Sequence, residues 1–498
     1  MPSLIDTRPF PALPPAFNLA GHVLAAGLAT PDKPALVILY PDRDEVLTYA
    51  EVTARILGCA TALLALGLQP GDRVLMRLQN GPAFPVVFLG AIAAGLVPLA
   101  TSAALTVAEV TRLARLAHPK LVIADPGTAL PDHPALVISP DPATWARLPP
   151  AQFHHGDPHR EAYVVFTSGS SGQPAGVSHA HRTILARATM HHAWEGLTPD
   201  DRLMHAGALN WTYTLGTGLL DPWTLGASAL IPAAGTRPSD LPTLLARSKA
   251  TIFAAAPGVF RQMLRAPFPA LPQLRHALSA GESLPPPLRA DWQRQTGTDV
   301  HEALGMSELS TYISGSPHRP APPGSAGYVQ PGRLIACLDD SGEPVPHGTP
   351  GELAVSTADP GFMRGYLGKP PPQGPWFRTG DMVTIAQGGA VTHLGRRDDL
   401  LNAGGFRVSP LEIEAAFHDL LPTCAAAEVE VTPGTKIIAL FHEGPCRIDT
   451  ATLHQRAEIA LARWKQPRHY QMVATLPRSA NGKLIRRALA ALYKSPTP

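Results

Sequence analysis

Four hydroxyl residues and three glycines crowd into one short stretch, Phe166-Thr167-Ser168-Gly169-Ser170-Ser171-Gly172-Gln173-Pro174-Ala175-Gly176-Val177, directly behind the apolar run Ala162–Val165. Backbone N–H groups and hydroxyls in such a loop can surround a phosphate without bulky side chains in the way. The apolar run, the loop and the following HRTILARATMHHAW predict strand, loop and helix in that order. The loop is not a Walker P-loop, because no Gly-Lys-Ser/Thr opens the helix. Four further stretches carry groups suited to chemistry: ALGMSE with Glu308, WFRTGD with Asp381, GRRDDLLNAGGFRVSPLEIE, and PRSANGKLIRRAL with Lys483. A carboxylate such as Asp381 can take two hydroxyl donors at once. A lysine is a compact cation on a flexible stem, suited to neutralising charge that builds in a transition state. Singly, each has a plainer role as a surface carboxylate, a Gly-Asp turn or a solvated turn lysine. Only 8 of the 41 basic residues are lysines, so Lys483 stands out from its background.

The elements that would hold these groups alternate as in an α/β protein. EVTARILGCATALLALG predicts an amphipathic helix ending at Gly67, and Arg73-Val74-Leu75-Met76 a strand after a turn. VAEVTRLARLAHP leads into KLVIAD, and LPTLLARSKA into TIFAAAP, two more helix–strand steps of the kind that build parallel sheets covered by helices. After about Gly348, GELAVS, WFRTGDMV and VTHLGRRDD predict short strands and tight turns, a β-rich subdomain. The charged turn Arg396-Arg397-Asp398-Asp399 looks like a joint, with about a hundred residues beyond it, enough for a compact domain.

Composition narrows the class. The 498 residues are 45% apolar and 16% charged, which is globular, and the net charge of +2 gives no reason to expect nucleic acid as a partner. Cys59, Cys337, Cys424 and Cys446 show neither close pairing nor metal-ligand spacing, which fits a reducing compartment. The N-terminal MPSLIDTRPFPALPPAF lacks the basic-then-apolar order of a signal peptide, so the cytoplasm is expected. From Pro82 to Ala108 there is no charge, but Gly90, Gly95 and Pro98 interrupt the run, which predicts a buried helix and a buried strand rather than a membrane span.

Taken in order, the phosphate-type loop and the four further motifs resemble the signatures of the adenylate-forming superfamily, which holds acyl- and aryl-CoA ligases, peptide-synthetase adenylation domains and luciferases. The resemblance covers nearly the whole chain. It implies a large α/β AMP-binding domain over residues 1–394, a hinge over 395–398 and a small mobile α+β domain over 399–498. It implies that Thr167, Ser168, Gly169, Ser170, Ser171 and Gly172 hold ATP phosphates, and that Thr167 and Glu308 hold magnesium. Ser307 would face substrate or phosphate, and Gly281, Glu282, Leu304 and Gly305 would flank adenine. Leu304 stands where the family usually has tyrosine and where aryl-CoA ligases tend to have an aliphatic residue. Asp381 and Arg396 would hold the ribose, Lys483 would be catalytic, Asp398 would be the hinge pivot, and Gly404 and Gly405 would pass the CoA arm.

The family's phosphate loop usually reads Pro-Lys-Gly, and here it is Pro174-Ala175-Gly176, with Arg182 as a nearby source of positive field. No acidic residue lies between Gly207 and Leu220, where amino-acid adenylating domains place an Asp, and Trp211 and Tyr213 suggest an apolar acyl pocket. The expected function is an ATP-dependent carboxylate–CoA ligase for an aromatic or medium-chain acid. Its expected partners are the acid, ATP, magnesium and coenzyme A, with a homodimer as the candidate assembly. Two alternatives stay open: loading of an acyl carrier protein, and a degenerate homologue that binds an acyl-adenylate without turning it over.

Overall fold

Two sheets share one hydrophobic core, and the sequence texture of each strand reports where it sits. The computed structural model describes residues 2–167, 175–403, 406–432, 435–444, 448–479, 482 and 484–494. A seven-stranded sheet runs in the order Gly365–Tyr366, Ala175–Ala180, Glu161–Thr167, Val97–Ala100, Arg73–Arg77, Leu121–Ala124, Leu136–Ile138. Its five strands from Glu161–Thr167 onward pair in parallel. Helix starts are written into the sequence: Thr48 and Glu51 form a reciprocal cap on Tyr49–Ala65, and Thr106 and Glu109 do the same on Val107–Ala117. The uncharged Pro82–Ala108 run forms the buried helix Ala83–Ala93 and the buried strand Val97–Ala100. Among the described residues no helix is long and apolar enough to cross a membrane.

The second sheet has fourteen strands and changes character halfway. From Asp299–Met306 through His276–Ala280, Ile252–Ala255, Arg202–His205 and Ser228–Pro232 to Pro34–Leu39 the pairing is parallel. Strands such as Ile252–Ala255 are buried throughout, because helices cover both faces. At Ser310–Ser314 the pairing turns antiparallel and continues through Gly327–Val329, Ala390–Arg396, Trp376–Ile385 and Gly351–Ser356. Trp376–Ile385 accordingly alternates half-buried and buried residues along most of its length. The β-rich stretch after Gly348 is thus hydrogen-bonded into the same sheet as the parallel strands.

One local expectation is corrected. The residues after the glycine–serine loop form a strand, Ala175–Ala180, antiparallel to Glu161–Thr167, and the helix begins only at Thr183. Ala175 to Ala180 are claimed from both sides, by Glu161–Thr167 and by Gly365–Tyr366, and this pairing overrides the reading of Ala175–Val177 as loop. The described residues on either side of that stretch are therefore strands, and the helix follows the second of them.

Beyond the turn Arg397–Asp399, the strands Cys424–Thr432, Thr435–Glu443 and His469–Val473 form a three-stranded sheet. Helices Pro410–Phe417 and Thr450–Ala460 cover it, around a separate core that includes Ile413, Phe417, Leu440 and Leu453. The strand Ala390–Arg396 carries the large sheet through Gly395 and Arg396, which pair with Met382 and Asp381. Asp398 lies exposed in the turn that follows.

Candidate active site

The turn between Asp299–Met306 and Ser310–Ser314 carries Ser307 and Glu308, where the sheet switches from parallel to antiparallel. Crossing that switch takes a register shift between Leu304 and Gly305, which turns the chain and leaves Glu308 half-buried. The Tyr366 hydroxyl donates to Glu308 Oε1 at 2.7 Å, and Met363 N–H donates to the Glu308 carbonyl at 2.8 Å. Tyr366 pairs with Val177 on the strand that leaves the glycine–serine loop, and Thr167, where the loop begins, pairs with Ala175 on that same strand. Thr167 and Glu308 are thereby tied to one sheet end through Tyr366. Burial and the Glu308 carboxylate both raise the Tyr366 hydroxyl well above its usual range, so it stays a proton donor.

Asp381 and Arg396 face each other across paired strands, with Arg396 Nη1 3.2 Å from Asp381 Oδ1. His393 Nε2 is 3.2 Å from the same oxygen, and Arg396 Nη1 also donates to the Thr379 carbonyl at 2.8 Å. Burial alone would raise the Asp381 carboxyl, but His393 and Arg396 outweigh it and hold the group below its ordinary value. Asp381 is thus an ionised acceptor at the site's wall. The Tyr312 ring is fully buried, and its hydroxyl, raised first by burial, feels both Asp381 and Glu308. Tyr312, on the strand that leaves the Glu308 turn, is thus within electrostatic reach of both carboxylates.

The acyl side is built on the segment after strand Arg202–His205. Trp211 and Tyr213 meet edge to face at 5.3 Å, and the buried Tyr213 donates its hydroxyl to the Leu278 carbonyl at 3.1 Å. Between them, Thr212 Oγ1 donates to Ser307 Oγ at 3.2 Å, which fastens the aromatic wall to the Glu308 turn. Gly281 has φ +100°, a bend that favours glycine, and a methyl group there would press on the Trp211 indole at 3.0 Å. The neighbouring Glu282 carboxylate is 3.7 Å from Arg478 of the small domain, and Arg478 also donates to the Gly482 carbonyl at 2.9 Å. The segment that leads to Lys483 thus lies against the Gly281–Glu282 loop.

Contacts link Trp211 to Tyr213 and Gly281, Thr212 to Ser307, Tyr366 to Glu308 and Glu282 to Arg478, and Asp381 meets Arg396 on a neighbouring strand. Ser168, Gly169, Ser170, Ser171, Gly172, Gly404, Gly405 and Lys483 lie outside the described residues. Arg182, expected as a nearby source of positive field, donates to the carbonyls of Pro360 and, at 2.9 Å, Phe362. Sequence reasoning missed Tyr312, Tyr366 and His393. Tyr366 and His393 lie far from the motif residue they touch, and only strand pairing reveals them. Tyr312 stands four residues after Glu308, where LSTYISG reads as an ordinary strand.

Comparison with known proteins defines the class. Residues 25–367 match the model of the AMP-binding enzyme family, and the chain belongs to that family. A benzoate–CoA ligase of Thauera aromatica is 28% identical over 97% of this chain and 97% of its own length. An anthranilate CoA ligase in complex with anthranoyl-AMP superposes with a TM-score of 0.87 at 26% identity, covering 96% of this chain and 98% of the other. An ATP-bound enzyme, MatB of Rhodopseudomonas palustris, superposes with a TM-score of 0.86 at 27% identity, covering 96% of this chain and 99% of the other.

Proposed function

We propose that this enzyme joins an aromatic carboxylic acid to coenzyme A at the expense of ATP. In the first step a carboxylate oxygen of the acid attacks the α-phosphorus of ATP, and pyrophosphate leaves. In the second the CoA sulfur attacks the acyl carbon, and AMP leaves. The observation that carries the reading is the acid-free aromatic wall of Trp211 and Tyr213, fastened through Thr212 and Ser307 to the Glu308 turn. An aromatic ring packs against such a wall, and no carboxylate meets an amino group there. The likeness to a benzoate–CoA ligase and to an anthranoyl-AMP complex supports the same substrate class.

The residue roles follow from this reading. Asp381, held ionised by His393 and Arg396, takes the ribose hydroxyls, and Arg396 supplies a donor beside it. Leu304 and the Gly281–Glu282 loop flank the adenine. Glu308 and Thr167 present the oxygen donors that magnesium favours, a carboxylate bonded at one oxygen by Tyr366 and a hydroxyl at the strand end. Bound there with ATP, the ion supplies charge neutralisation at the phosphates. Ser168 to Gly172 cradle those phosphates by backbone and hydroxyl, and Lys483 bridges the acid and the α-phosphate. The small domain, pivoting at Asp398, withdraws Lys483 and brings Gly404 and Gly405 to the CoA arm for the second step. The unpaired Cys59, Cys337 and Cys424 suit the reducing cytoplasm, where ATP and CoA are available.

The test is acid-dependent ATP–pyrophosphate exchange with benzoate, hydroxybenzoates, aminobenzoates, octanoate and free amino acids, followed by thioester formation with CoA. Exchange with the aromatic acids and a CoA thioester product are expected. Exchange confined to amino acids, or acyl transfer to a carrier protein but not to CoA, would refute the assignment.

A further inference from the structure

Behind the Glu308 turn lies a charged cluster that the proposed reaction does not use. Arg187, on helix Thr183–Met190, reaches Asp221 with two donors, Nε at 2.8 Å from Oδ1 and Nη2 on Oδ2. Both side chains are almost wholly shut off from solvent. The remaining terminal nitrogen, Nη1, donates to Ser310 Oγ. Ser310 is held at φ +79°, a left-handed conformation that costs an L-residue energy unless its surroundings impose it. It stands two residues after Glu308 and begins the strand that leaves the turn.

The local chain is shaped to admit the guanidinium. A methyl group at Gly216 would overlap Arg187 Nη2 at 2.1 Å, so only glycine leaves the space. From Gly216 to Leu220 the helix widens into a π turn, and Asp221 follows directly in register to meet Arg187. A second π turn, His191–Glu195, continues the helix of Arg187 and sets His191 Nε2 3.6 Å from Asp221 Oδ1. Burial and Asp221 together push the Glu195 carboxyl well above its ordinary value, so it is neutral and leaves Asp221 to balance Arg187. Thr212, one helical turn before Gly216, is the residue that bonds Ser307. The same short helical segment thus grips the turn at Ser307 directly and at Ser310 through Arg187.

We propose that Arg187, fixed by Asp221, is a positioning residue that clamps Ser310 in its left-handed conformation and so holds Glu308 in the orientation its ligand needs. The proposal rests on the reading of Glu308 as a metal ligand. Tyr366 bonds one carboxylate oxygen and Met363 the main-chain carbonyl, and the clamp secures the strand that follows. Ser310 is then a place where the fold holds backbone strain for the sake of the neighbouring carboxylate.

The experiment measures Mn²⁺ binding in the presence of ATP by electron paramagnetic resonance, with melting temperature alongside, on the wild type, Ser310→Gly, Arg187→Lys and Glu308→Gln. Ser310→Gly removes both the clamped hydroxyl and the strain. It should melt no lower than the wild type yet bind Mn²⁺ about tenfold more weakly, the effect of losing one ordering hydrogen bond. Its KM for the acid should not move. A purely structural role for Arg187 predicts the opposite pattern, wild-type Mn²⁺ binding in Ser310→Gly. That result, with binding weakened in Glu308→Gln, overturns the clamp alone. Wild-type Mn²⁺ binding in Glu308→Gln overturns the metal reading and the clamp with it. If Arg187→Lys does not fold, Ser310→Gly decides the question by itself.

Discussion

Two clusters in this enzyme combine an aspartate, an arginine and a histidine, and they differ chiefly in access to solvent. In the Arg187–Asp221–His191 cluster the side chains are 7% and 0% exposed for the ion pair, and the arginine's donors are committed to Asp221 and Ser310. In the Asp381–Arg396–His393 cluster the aspartate is 9% exposed and the Arg396 side chain 39%. The first cluster is closed on itself and acts on the fold. The second keeps one edge toward the site, where a ligand hydroxyl can join it. The same residue types therefore serve packing or recognition according to which atoms are left uncovered. Burying an ion pair is not by itself a gain in stability, but removing one partner of such a pair is costly.

The largest expected effect breaks the closed cluster. Asp221→Ala leaves the Arg187 guanidinium buried without its anion, and should cost ~3–5 kcal/mol of folding stability. Urea unfolding measures this directly. A loss under 1 kcal/mol would show that water or Glu195 replaces the lost charge, and the contrast between the clusters would fail.

The next effect falls on the open cluster. Asp381→Asn removes a charged acceptor at the site wall and should lower kcat/KM for ATP by about 10- to 150-fold, as expected when a charge-assisted hydrogen bond is lost. The acid's KM should stay within about twofold, and stability should change by less than ~1 kcal/mol because Arg396 can turn to water. Steady-state kinetics with each substrate varied in turn distinguishes this from a general disruption, which would raise both KM values.

A third effect is graded and separates the clusters by pH. Burial lowers His179, His181 and His205 to about 3, and His276 and His301 to about 4. His205 packs on Tyr213, and His276 bonds the Glu195 carbonyl, so they surround the closed side. Each folded value lies below the unfolded 6.5, so the unfolded chain takes up protons that the folded chain refuses. Their contribution is whole above pH 6.5 and fades as the pH falls, by up to ~1.4 kcal/mol per pH unit for each histidine. Asp381 behaves differently: its lowered carboxyl contributes above the unfolded value of 3.8 and is lost only as the pH drops below that. Melting temperature should therefore decline between pH 6.5 and 4 in wild type and Asp381→Asn alike. A flat profile over that range would mean that the histidines gain protons without opening the core.

Much of this protein was legible in its residues. The helical EVTARILGCATALLALG, the apolar run TIFAAAP behind LPTLLARSKA, and the strand-like WFRTGDMV reported a helix, a parallel strand and the β-rich stretch, because each depends on neighbours in the chain. The motif order likewise pointed to Glu308, Asp381 and Arg396, since each sits in a distinctive local frame. Ala175–Val177 was read as loop, because its strand pairing comes from Glu161–Thr167 and from Gly365–Tyr366, the latter nearly two hundred residues away. Tyr366 on Glu308, His393 on Asp381, and Arg187 between Asp221 and Ser310 belong to the same class of fact. Local pattern determines which element forms and which residue type stands ready; tertiary pairing alone decides which buried charges meet and which edge of a carboxylate is left for a ligand.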